Sequence, residues 1–231
     1  MRRFAVIMIA LLLSCVMIGD SVMAGSDSQS QENADPGNSN RTLTYSASLM
    51  AFFEDPDSGY NPRAAYFSQV SSYVTTYIGG STYLDSYEQK TKAQMISAMQ
   101  CAPIVFVHSH GAAGCITIGT ASPNRIYSFD FSSNDLANQR CVVLLTCKGG
   151  YPVSAPSYNM VQTMVNCGAT CAVGFTTDIS VANSNTFAIG FAKQTLMYHK
   201  TVALAINTMQ LAGDPISGYA VISGTASTLL Y

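Results

Sequence analysis

The sequence predicts an α/β protein of three layers, with helices on both faces of a central, mostly parallel sheet of about six strands. Two observations carry this. The runs Ile104 to Val107 and Val142 to Leu145 are unbroken aliphatic stretches bounded by turn residues, the pattern of strands buried on both faces. Segments of that kind alternate along the chain with stretches of helical periodicity, which implies βαβ units. A third observation concerns function. Each run ends just before a reactive side chain, three residues before His110, which Gly111 follows, and two before Cys147, which Lys148 and Gly149 follow. Open α/β sheets place their functional groups just beyond the carboxyl ends of such strands.

The elements follow in order. Thr42 to Phe53 reads as a first strand, closed by Glu54-Asp55-Pro56-Asp57-Ser58-Gly59. Asn61-Pro62 is a cap followed by a first-turn proline, opening a helix to about Ile78 that Gly79-Gly80 stops. Thr82 to Glu88 is a short strand. Lys90 to Gln100 is a helix with Ala93, Ile96 and Met99 on one face. The histidine strand comes next, and Cys115 to Gly119 with Arg125 to Phe131 alternates weakly, as a hairpin or edge strands do. Asn134-Asp135 is expected to cap a short helix before the cysteine strand. Tyr158 to Cys167 is helical, Cys171 to Thr176 a strand, Asn185 to His199 and Thr201 to Ala212 helices, and Tyr219 to Ser223 a last strand.

The amino terminus reads as an export signal over residues 1–24. Arg2 and Arg3 precede the apolar run Phe4 to Leu13, and Val22-Met23-Ala24 offers a small-residue cleavage site. Ser14, Gly19 and Asp20 keep the run below spanning length, so no stable membrane insertion is expected once the leader is gone. Cys15 leaves lipidation open as a minor alternative. Residues 25–42 are polar and read as a disordered spacer, which leaves 43–231 as one domain. Without Arg2, Arg3 and Asp20 the mature chain has 9 basic and 12 acidic residues, a net charge of −3. With no basic patch, nucleic acid is not an expected partner.

Six cysteines remain in that mature chain: 101, 115, 141, 147, 167 and 171. Disulfides Cys101–Cys141 and Cys167–Cys171 are open to an exported protein, beside the alternative of small buried hydrophobes. No CxxC pair occurs, which argues against structural zinc. His108 and His110 form HxH on a strand, but neither HExxH nor HxHxDH follows, and no metal or other cofactor is expected. His108 reads as a buried, satisfied side chain. His199, in line with Ala188, Ala192 and Leu196, reads as a packed helix residue.

Chemistry therefore concentrates on His110 and Cys147, 37 residues apart. A cysteine attacks as thiolate, and an imidazole takes its proton and later returns it to the leaving amine. Gly111 and Gly149 keep the backbone beside the reacting carbon open, so the amides of Gly111 and Cys147 are candidates for an oxyanion hole. Cys147-Lys148-Gly149 differs from an α/β-hydrolase elbow, which needs glycine where Leu145 stands.

These residues resemble the caspase-like clan of cysteine peptidases, which includes caspases, metacaspases, legumains, clostripain, gingipains, separase and bacterial CHAT-domain peptidases. Ser109-His110-Gly111-Ala112-Ala113-Gly114, with Ile116 and Gly119-Thr120, is similar to the SHGxxGxIxxGT segment of caspases. Leu145-Thr146-Cys147-Lys148-Gly149 is similar to their QACRG segment, with Thr146 in place of a small residue. Val161 to Thr177 and Phe187 to Ala205 resemble the post-cysteine half of CHAT domains, and the resemblance spans about residues 44–222. It implies the caspase-like fold, a metal-free peptidase acting on polypeptides, His110 as base and acid, Cys147 as nucleophile and Gly111 as an oxyanion donor. It also implies one preferred P1 residue. Asp178, just past the 171–176 strand, is the candidate carboxylate for Arg or Lys at P1, with Asp130 and Asp135 as alternatives. Leu145 removes the Asp that metacaspases carry two residues before the nucleophile. The rival expectation is a caspase-like secreted binding domain without catalysis.

Overall fold

The computed structural model describes residues 49–53, 66–86, 91–100, 102–117, 125–152 and 159–231. The leader, the spacer, the Asn61-Pro62 helix start and Cys101 lie outside the described residues. Residues Thr42–Tyr231 form one compact unit.

A six-stranded sheet organises this unit. Its strands are β1 (Leu49–Phe53), β2 (Thr82–Ser86), β3 (Ile104–His108), β7 (Cys141–Leu145), β8 (Cys171–Phe175) and β9 (Ala220–Gly224). They lie in the order β2-β1-β3-β7-β8-β9. Every neighbouring pair is parallel except β8 and β9. The expected α/β fold with a mostly parallel sheet of six strands is thus what forms. Between β3 and β7 a small antiparallel sheet is built from β4 (Gly111–Ala112), β5 (Cys115–Thr117) and β6 (Arg125–Tyr127).

Strand alternation explains the three layers. Val105, Val107, Val142, Leu144 and Ala172 point to one face, where they meet Met95, Ile96, Ala98 and Met99 of α2 (Lys92–Met99) and Met160, Val161 and Met164 of α3 (Met160–Asn166). Ile104, Phe106, Val143, Leu145, Val173 and Phe175 point to the other. They pack on α1 (Ser68–Tyr73), α4 (Val181–Ala192) and α5 (Val202–Leu211). On this second face Phe106, Phe191, Phe187 and Phe175 form a chain of ring contacts 4.9–6.2 Å between centroids.

Several expectations shift. Helix α2 begins one residue after Thr91, whose side chain and that of Gln94 form a reciprocal capping box, and it buries Met95, Ile96, Ala98 and Met99 rather than Ala93, which is exposed. No helix forms at Asn134: its backbone is left-handed (φ 74°), and Asp135 accepts the Ser132 amide at 2.7 Å. Helix α4 starts earlier than Asn185 because the Ser180 side chain caps it through the Asn183 amide. His199 is not on a helix face. It is exposed, left-handed (φ 53°) and set edge-on against the Tyr231 ring.

Neither expected disulfide is formed, since Cys141, Cys167 and Cys171 are free thiols. The reason is facing. Cys167 belongs to the α2/α3 side of the sheet and Cys171 to the opposite side. Cys171 stands instead in register with Cys141 on the neighbouring strand. A hydrogen bond between the two thiols, together with burial, pushes the Cys141 thiol well up, while the same bond draws that of Cys171 down against the effect of its burial.

Tyr66 is fully buried, and its hydroxyl has no hydrogen-bond partner among the described residues. Burial pushes its ionisation far up. A desolvated, unmatched hydroxyl costs about 1–3 kcal/mol. Tyr66→Phe is therefore expected to leave the fold unchanged and raise stability by about 1 kcal/mol in urea unfolding. Destabilisation would mean the hydroxyl is matched.

Candidate active site

Strands β3 and β7 pair in parallel with His108 opposite Leu145, and the Ser109 amide extends the ladder to the Leu145 carbonyl at 3.4 Å. Two residues further along each strand come His110 and Cys147. The register thus carries the imidazole and the thiol to the same rim at equal distance from their strand ends. They line one cleft of about 50 Å³, together with His108, Ser109, Leu145, Ile179, Val181 and Ser184. His110 is exposed and Cys147 half-buried, so both are open to a ligand.

The turn after β7 is held at several points. Lys148 takes a left-handed backbone (φ 55°), and its amide donates to the Thr177 carbonyl at 3.0 Å, as that of Gly150 does to Phe175 at 2.9 Å. The Ile179 amide donates to the Cys147 sulfur at 3.4 Å, and the sulfur lies 3.6 Å from the Ile179 carbonyl. Glycine at 111 is a steric requirement, because a Cβ there would fall 2.8 Å from the Thr146 Cβ and 3.0 Å from the Cys147 carbonyl oxygen. The backbone of Gly111 thus abuts that of the turn carrying Cys147. Gly149 accommodates the same threonine, since its Cβ would lie 2.6 Å from Thr146 Oγ1.

Asp178 sits just outside the cleft lining. Its carboxylate is 68% exposed and pairs with Lys148 Nζ at 3.2 Å, an ion pair of the solvent-screened kind worth about 0–1 kcal/mol. The two alternatives are engaged elsewhere. Asp130 pairs with Lys92 at 2.9 Å and accepts the Tyr127 amide, and Asp135 accepts the Ser132 amide. His108, in the cleft lining, is 5% exposed and bonded through Nε2 to Ser184 Oγ at 2.9 Å, a buried side chain as expected. No group of three or more metal-ligating side chains occurs among the described residues. Sequence reasoning missed Ile179, Val181 and Ser184, for which the Ser180 cap was the available signal.

The fold is that of the caspase-like cysteine peptidases. The chain superposes on the Arg-specific cysteine proteinase gingipain R with a TM-score of 0.55 and 12% identity, over 81% of this chain and 48% of that one. It superposes on the complex of Porphyromonas gingivalis RgpB pro- and mature domains with a TM-score of 0.58 and 12% identity, over 82% and 49%. The chain thus spans about half the length of these solved chains. No family model and no curated protein sequence matches it.

Proposed function

We propose that the chain is a cysteine endopeptidase working through a Cys147/His110 dyad. The observation that supports this best is the in-register pairing of β3 and β7, which brings an accessible thiol and an accessible imidazole into one cleft. In the reaction, His110 takes the Cys147 proton and the sulfur attacks the scissile carbonyl carbon. The oxyanion is met by the Gly111 and Cys147 amides, donors whose number and direction decide the rate of such steps. Collapse of the tetrahedral adduct expels the amine, which receives the proton from His110, and water then hydrolyses the thioester with His110 again as base. Export through residues 1–24 and a polypeptide substrate belong to the same proposal.

At P1 the proposal is Arg or Lys, read by Asp178. A basic side chain entering a pocket loses hydration and needs a carboxylate to offset the loss. Asp178 lies one residue before Ile179 of the cleft wall, and its present partner Lys148 is itself a basic side chain. That pair is weak enough for a substrate cation to replace.

A peptide library profiled at P1 tests this reading. Cleavage after Arg or Lys is expected, and Asp178→Asn is expected to lower kcat/KM for those peptides by roughly 10-fold or more, in line with the loss of a charge-assisted contact. Cleavage after Asp, or after Arg at an undiminished rate in the variant, would remove Asp178 from the pocket.

A further inference from the structure

We propose that the buried hydrogen bond between His108 and Ser184 is a crosspiece that holds the two halves of the dyad in register, which makes these two side chains positioning residues for the reaction. This goes beyond the peptidase reading above and rests on it. His108 is the last residue of β3 and Ser184 lies in the first turns of α4, 5% and 1% exposed. The Ser184 hydroxyl has one proton, and it donates to the Val181 carbonyl at 2.8 Å. The 2.9 Å contact is therefore donated by His108 Nε2–H to Ser184 Oγ, which assigns the tautomer by proton accounting.

The bond spans more of the fold than its length suggests. Helix α4 follows β8, and β7, the nucleophile's strand, lies between β8 and β3. At one end of the crosspiece, His110 is two residues beyond His108. At the other, α4 begins just after Ile179, whose amide holds the Cys147 sulfur at 3.4 Å. Each catalytic group thus adjoins one arm, His110 through the chain and the Cys147 sulfur through the Ile179 amide, and both arms meet at this bond in the cleft they line. The Tyr66 ring packs on the His108 ring, with centroids 5.8 Å apart. A shift of the first turn of α4 relative to the end of β3 would move Ile179, and with it the amide that meets the sulfur, relative to His110. A displacement of about 1 Å at reacting groups costs up to roughly 100-fold in rate.

Three variants of the full chain test this through the covalent reaction of Cys147 with a peptidyl acyloxymethyl ketone. His108→Phe keeps the ring volume without the donor, Ser184→Ala removes the acceptor, and His108→Gln returns an N–H close to Nε2. The first two are each expected to lower kinact by roughly 10-fold or more with Ki within about twofold, and the pair combined should be no worse than the poorer single. His108→Gln is expected to recover most of the rate. Circular dichroism and melting establish that each variant is folded, and Ser184→Ala, a mild change inside a helix, keeps the test available if His108→Phe does not fold. Wild-type kinact in a folded variant, a loss confined to Ki, additive losses or no recovery in His108→Gln would overturn the crosspiece. A wild-type protein that does not react at all would instead overturn the peptidase reading, and the crosspiece with it.

Discussion

Cys147→Ala is expected to abolish turnover, lowering kcat by at least about 10⁴-fold, while unfolding stability changes by less than about 1 kcal/mol. The two halves of this expectation have different physical sources. Without the sulfur there is no covalent intermediate, and water must attack the amide directly with only binding and the oxyanion donors to assist. Stability is spared because Cys147 is half-buried and lies outside both hydrophobic clusters. Its sulfur contacts to Ile179, at 3.4 and 3.6 Å, are long and weak. Retained turnover would show that another residue is the nucleophile. A large loss of stability would show that the thiol is a packing group.

His110→Ala is expected to lower kcat by about 10²–10⁴-fold and to slow alkylation of Cys147 by iodoacetamide, again with little effect on unfolding. The imidazole is exposed, so its removal leaves no cavity in the core. Its backbone keeps its place independently of the ring, because the His110 carbonyl accepts the Thr117 amide at 2.9 Å. The structural consequence is therefore confined to the lost proton acceptor. The pair of rates separates roles: a fall in turnover without a fall in alkylation would make His110 a substrate-binding group rather than the base.

What the sequence made legible was set by how strongly each signal is fixed locally. Ile104 to Val107 and Val142 to Leu145 could be read as doubly buried strands because burial on both faces forbids polar residues at every position, and all of β3 and β7 is buried. The glycine after His110 was readable for a similar reason, since the close approach to Thr146 admits no side chain. Less was visible where facing or long-range contact decides. Cys167 and Cys171 are four residues apart in sequence yet belong to opposite sides of the sheet. Val181-Ala182-Asn183-Ser184 has no apolar periodicity, so the start of α4 was missed although Ser180 is an ordinary cap. Ser184 reaches the cleft only because α4 bonds to His108 across 76 positions of chain. No local pattern encodes that meeting.

Cys147 is proposed as a nucleophile activated by its place in the fold. Native protein treated with a peptidyl ketone and digested for mass mapping tests it most directly. The expected result is a single adduct on Cys147 in the native state, lost in His110→Ala and absent when the protein is denatured first. Labelling that leaves native Cys147 untouched, or that modifies Cys115, Cys141, Cys167 and Cys171 equally well, would contradict it.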